Sequence, residues 1–383
     1  MLIELILVGV AGMALVNGLL FTLVLLNKLQ KKKRKKHADE IRAAFAIKVA
    51  DHVAGVHGEI PLPAGKKETE ILKDVLLEAF DRAEPKDREK LLNMARVSGI
   101  VMAELKELQS HQDSRKAIAA YTLGVMRAPE ALESLLRVRT ENRELTQCVA
   151  RAIILISGTR YLSEVLKALG ATALPQKAMA LELLSLIEED LYPKMSTYLK
   201  DTDVSKRILA LEALGSRADE RVYPFVVEEL NSPDKEVRLA ALKALMGLKG
   251  AARPEVREKI HILGQDPAWE VRAFTAKALG ASPGVGYGAI HLLQKMLEDP
   301  NWMVRFNASE SLLAQGEMGV VALAETLFSP DRFAKDRAWD VLSRELTLYD
   351  LNQRIAGFKT KDYILDKLQQ FGQARKEMTI LDA

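Results

Sequence analysis

Arginine and tryptophan recur at fixed spacing in the second half of the sequence, and they set the chemistry this chain can offer. The segments Glu236-Val237-Arg238, Glu270-Val271-Arg272 and Met303-Val304-Arg305 are each preceded by Ser-Pro or Asp-Pro, and Arg207 holds the matching place one step earlier. A guanidinium presents a planar fork of donors that fits a carboxylate through two parallel hydrogen bonds. Arg207, Arg238, Arg272 and Arg305 are therefore candidates to receive acidic side chains of a partner protein. Trp269 and Trp302 share one position, two residues before the valine. Core packing of a helix start is the expectation for both. Left exposed, they would instead anchor a protein interface, where Trp and Arg carry a disproportionate part of the binding energy.

Other chemistry finds little support in the residues. His52 and His57 are five apart with Glu59 nearby, a spacing one helix face cannot present, so no metal site is expected there. Gly284-Val285-Gly286-Tyr287-Gly288 has the look of a phosphate-cradling loop, but no strand precedes it and no Gly-Lys-Ser/Thr follows. Cys148, the single cysteine, lies among Leu145, Val149 and Ala152 and reads as a small buried hydrophobe. No catalytic residue, cofactor or metal is assigned, and the chain is expected not to be an enzyme.

Internal repetition supplies the elements that would position the arginines. Adding Arg115, Gln147, Lys177 and Arg337 at equivalent places gives successive intervals of 32, 30, 30, 31, 34, 33 and 32 residues. Such a period suits two short helices and two turns. Each arginine segment opens one helix, and Pro129 to Val138, Tyr161 to Leu169, Arg221 to Leu230, Pro254 to Leu263, Ala289 to Leu297 and Gly319 to Phe328 supply the others. Sustained period-two alternation is missing, so no sheet is predicted. One helix pair cannot bury its apolar face alone, whereas stacked pairs share a continuous core. The predicted fold is all-α, a right-handed α-solenoid of helix pairs preceded by one transmembrane helix.

Over roughly residues 100 to 347, and most specifically 199 to 315, the pattern resembles HEAT-like repeats of the phycobiliprotein-lyase type. The resemblance implies a scaffold that holds other proteins. It also implies that an Asp before the second helix and an Arg early in it form a ladder between neighbouring repeats, a structural role for Arg238, Arg272 and Arg305 with Asp234, Asp266 and Asp299. The same resemblance admits a phycobilin-lyase-like enzyme or chaperone subunit, or a nucleic-acid-binding protein. A membrane anchor departs from the lyases. Bacterial proteins of this layout suggest a membrane glycosyltransferase as partner.

The anchor is read from the first 36 residues. Leu2 to Leu26 contains only Glu4 and Asn17 as strongly polar residues, and Lys28, Lys31, Lys32, Lys33, Arg34, Lys35 and Lys36 follow at once. About 20 apolar residues span a bilayer core about 30 Å thick. Positive charge after the span rather than before it, with no small-residue cleavage site, argues against a signal peptide. Basic residues stay on the cytoplasmic side, so the N-terminus is expected outside and the repeats in the cytoplasm. The seven cations would also bind anionic lipid at about 1 kcal/mol each. Ala14 and Gly18 form a small-xxx-small pair through which a second transmembrane helix could approach.

Charge argues against a nucleic-acid partner. The formal net charge of +3 becomes about −4 once the seven charges of the cluster are set aside. A lone cysteine agrees with a reducing compartment. The expected organisation is an anchor over 1–27, a basic connector over 28–67 with a helix from Asp39 to Val49, the repeats over 68–348, and a capping helix and tail over 349–383.

Overall fold

Helix propensity and periodic apolar residues make every regular element helical in a computed structural model of the chain. It describes residues 2–56, 60–170, 174–282, 284–345 and 355–381, with side chains described outside 2–19, 174–176, 345 and 374–381. No strand occurs among the described residues. The chain divides into two compact units, 1–169 and 170–383. The division falls inside the 68–348 body that the repeat period suggested.

In the first unit the opening helix α1 runs unbroken over Leu2–Val53. The helix passes without a break through the expected boundary at residue 27, and the helix expected from Asp39 to Val49 forms its C-terminal part. Nothing in the lysine-rich stretch stops a helix, since Lys and Arg are good helix formers. The C-terminal turns of α1, from Arg42 onward, pack into the core. Phe45 and Val49 are buried, Arg42 pairs with Glu78, and Lys90 Nζ donates to Val53 O at 2.7 Å. Those partners lie on α2 (Lys66–Arg82) and α3 (Pro85–Val97). There follow α4 (Ile100–Glu107), α5 (Asp113–Val125), α6 (Leu132–Arg137), α7 (Arg143–Ser157) and α8 (Leu162–Ala168). Among the described residues no helix is long and apolar enough to cross a membrane. The side chains of 2–19, which carry most of the expected span and include Ala14 and Gly18, lie outside the described residues, as do His57 and Glu59.

The second unit alternates first and second helices. The first helices are α10 (Tyr192–Leu199), α12 (Tyr223–Glu229), α14 (Arg257–Leu263), α16 (Gly286–Met296) and α18 (Glu317–Thr326). The second helices are α9 (Leu174–Ser185), α11 (Val204–Ser216), α13 (Lys235–Gly247), α15 (Trp269–Ala281), α17 (Trp302–Ala314) and α19 (Arg332–Glu345). Asp203, Asp234 and Asn301 begin three of them by accepting a hydrogen bond from Ser205 N, Glu236 N and Met303 N at 2.8–2.9 Å. Each such cap contributes about 1 kcal/mol.

Val237, Val271 and Val304, the residues flanking the arginines, are fully buried. Consecutive second helices approach through small residues. A Cβ added to Gly247 would lie 2.0 Å from Gly215 O, and one added to Gly215 would lie 2.3 Å from Ala244 Cα. Glycine is required there by the closeness of the two backbones. Arg217 supports the same seam by donating from Nη2 to Leu184 O at 2.6 Å, and Gln315 does so by donating to Leu279 O at 2.8 Å. A last helix, α20 (Lys361–Leu381), buries Ile364 and sets Phe371 5.3 Å from the Trp339 ring.

Candidate protein-interaction surface

The starts of α13, α15, α17 and α19 bring the recurring arginines and aromatics onto one side of the second unit. Arg238 donates from Nε and Nη2 to the two carboxylate oxygens of Asp266, at 2.9 and 3.1 Å. Arg272 repeats the fork on Asp299 at 2.6 and 2.8 Å. Each arginine thus takes the acid of the following repeat, while Nη1 donates to the backbone six residues earlier: Ser232 O, Asp266 O and Asp299 O for Arg238, Arg272 and Arg305. Asp234 pairs with no arginine in this way and caps its own helix instead. The Asp299 carboxylate raises the Arg272 pKa above its ordinary value.

The ladder adapts where the acid changes. Ser232 stands where Asp266 and Asp299 stand in later repeats, and Arg207 Nε donates instead to Glu229 Oε1 at 2.9 Å, three residues earlier. At the other end Ser329 occupies the ladder position and Thr326 the position of Glu229. Arg305 Nε and Nη2 therefore meet no acceptor among the described residues. Of the four sequence candidates, Arg207, Arg238 and Arg272 are engaged inside the protein, and Arg305 keeps its fork open.

Trp269 and Trp302 depart from the core expectation, being 40% and 61% exposed. Each is the first residue of its helix, a place where a side chain projects off the end of the packed layer. Trp302 meets Phe306 edge-on at 6.4 Å. Phe306 lies under Arg337, whose guanidinium carbon is 4.5 Å from the ring centre, and Phe333 lies under Arg305 at 4.8 Å. Phe333 is 61% exposed. The sequence reading missed Phe306 and Phe333. The available signal was four-residue spacing from Trp302 to Phe306, which places both on one helix face.

A second ladder, also missed, joins the first helices. Arg221 donates to Asp190 from Nη1 at 2.9 Å and to Asp219 from Nη2 at 2.7 Å, and stacks on Tyr192. Arg253 donates to Glu220 at 2.7 and 2.9 Å and stacks on Tyr223. Hydrogen bonds from these guanidinium groups hold Asp190, Asp219 and Glu220 below their ordinary carboxylate values. Its arginines sit at positions without a shared motif, which is why periodicity did not expose it.

The remaining candidates carry no assembled chemistry. Lys28, Lys31, Lys32, Lys33, Arg34, Lys35 and Lys36 are exposed along α1. Burial raises the Cys148 thiol pKa, the opposite of what a nucleophile needs. Gly286 to Gly288 open α16 rather than a phosphate loop. Among the described residues no group of His, Cys, Asp and Glu is placed to hold a metal ion.

Residues 192–260 and 256–343 match the family of HEAT repeats. No curated protein matches the chain in sequence. Among solved structures, an engineered protein is 18% identical with a TM-score of 0.40, over 79% of this chain and 90% of that one. The Escherichia coli protein YibA is 16% identical with a TM-score of 0.34, over 63% and 93%. Human deoxyhypusine hydroxylase is 16% identical with a TM-score of 0.26, over 72% and 96%.

Proposed function

We propose that this HEAT-repeat chain is a membrane-tethered, non-catalytic adaptor that holds a partner protein through the open side of its second unit. The observation carrying the proposal is the group of exposed aromatics, Trp269, Trp302 and Phe333, beside arginines on consecutive repeats. Trp, Phe and Arg are enriched at the cores of protein interfaces. In this reading α1 crosses the cell membrane through residues 2–26, with the N-terminus outside and the repeats in the cytoplasm. Exposure of Leu20, Phe21, Leu23, Val24, Leu25 and Leu26, all at least 44%, supports it, because lipid would cover what the protein leaves bare. The lysine cluster then lies at the anionic inner surface. Tethering raises the effective concentration of adaptor and membrane-bound partner without any new contact. The partner class favoured is an integral membrane enzyme, a glycosyltransferase being the instance the family resemblance suggests, with Ala14 and Gly18 as a further helix contact.

In-cell crosslinking of the full chain, compared with a variant carrying Trp269→Lys and Trp302→Lys, tests the proposal. Recovery of one membrane enzyme with the former and its loss with the latter is the expected result. Recovery of lipid and the chain alone would overturn the adaptor reading, and digestion of the repeats by protease added outside intact cells would overturn the orientation.

A further inference from the structure

We infer that Arg305 is an open socket for an acidic residue of a protein partner, with Trp302, Phe306 and Phe333 holding apolar side chains around it. The inference rests on the adaptor reading and assigns it a site. The protein contains its own standard for a filled socket: at Arg272, Nε and Nη2 hold Asp299 Oδ2 and Oδ1 at 2.6 and 2.8 Å. Arg305 is held in the same manner, with Nη1 donating to Asp299 O at 2.7 Å and Pro300 O at 3.0 Å. Phe333 fixes the other face of the guanidinium at 4.8 Å.

The chain does not supply the carboxylate that the position takes in earlier repeats. Ser329 replaces the ladder aspartate, its hydroxyl donating to Glu298 Oε1 at 3.0 Å. Thr326, at the place of Glu229, donates to Ala322 O. The neighbouring Arg337 is not equivalent, because its fork is taken up by Ser309, Glu310 and Asp340 at 2.5–2.8 Å. An unfilled fork whose orientation is already fixed loses little freedom on binding, and it selects a planar anion over a neutral side chain. Trp302 and Phe333, both 61% exposed, lie three residues before it and beneath it. Charge complementarity and the flanking rings together specify a segment with Asp or Glu beside an apolar side chain.

The test presents a phage-displayed library of random 12-residue peptides to the full chain and to Arg305→Gln. Peptides enriched on the wild type are expected to pair an acid with a large apolar residue. Their synthetic forms should bind about 10-fold or more weaker to Arg305→Gln and to Phe333→Ala, and after Asp→Asn or Glu→Gln in the peptide. A melting curve for Arg305→Gln within about 4 °C of wild type shows that binding, not folding, is lost. Enriched peptides without an acid, no enrichment, or equal binding to Arg305→Gln would overturn the inference. Equal binding to Arg305→Gln would leave the adaptor reading standing on another surface, which separates the two failures. Dimerisation, or binding to phosphatidylglycerol vesicles, that Arg305→Gln abolishes would assign the socket to a second copy or to lipid and overturn the inference equally.

Discussion

Truncating the same arginine in two adjacent repeats gives a comparison controlled within the molecule. Arg272→Ala strands the Asp299 carboxylate, whose side chain is only 8% exposed beside an arginine that is 15% exposed. Asn301 N, at 2.8 Å, is the donor that remains to Asp299. Breaking one side of a buried ion pair costs about 3–5 kcal/mol, because the surviving charge stays desolvated. Residual exposure of the arginine places the expected loss near 3 kcal/mol. Arg305→Ala loses donation to two carbonyls and a ring contact but strands no charge, so its expected cost is about 1 kcal/mol. For a unit of roughly 200 residues each kcal/mol lowers Tm by about 2–4 °C, giving falls of about 6–12 °C and 2–4 °C respectively. Scanning calorimetry of the purified full chain, following the transition of the repeat unit, reads both. The double variant Arg272→Ala with Asp299→Ala is expected to recover much of the loss, since it removes the stranded charge. Equal shifts for the two single variants would refute the assignment of Arg272 as a ladder member and Arg305 as its open end.

Gly247→Ala drives a Cβ to 2.0 Å from Gly215 O; overpacking of this kind costs about 1–3 kcal/mol, and urea melts should show a lower midpoint. Ala218 and Lys249 adopt positive φ of 54° and 51°, so replacing either by glycine should stabilise by about 0.5–1 kcal/mol, and a lowered Tm would count against the turn geometry. The pKa values of Asp219 and Glu220 are depressed from 3.8 and 4.5 by Arg221 and Arg253. The stability they contribute is present above those ordinary values and lost as pH falls through the depressed ones, so Tm should hold from about pH 5 to 8 and drop below about 4. A Tm that rises on acidification would contradict these pairings. Neutralising Lys31, Lys32, Lys33, Arg34, Lys35 and Lys36 as glutamines should weaken association with phosphatidylglycerol vesicles by sedimentation, and unchanged association would remove the lipid role of the cluster.

Periodicity alone determined the helix-pair character of the repeats, because an apolar stripe at helical spacing has no other way to be buried. The Ser-Pro and Asp-Pro steps also marked where the second helices start, since proline acts locally on the backbone around it. The continuity of α1 escaped the sequence reading: a charged stretch looks like a connector, and only tertiary packing shows that the helix end beyond it, through Phe45 and Val49, joins the core with α2 and α3. The partners of Arg207, Arg238 and Arg272 were likewise settled by distance through space, 22, 28 and 27 residues along the chain, and not by the neighbouring Asp in the same repeat. Exposure of Trp269 and Trp302 followed from where the helices begin relative to the layer beneath them. Residue type fixes what a side chain can bind, whereas the stacking of one repeat on the next decides whether that capacity is consumed, as at Arg272, or left open, as at Arg305.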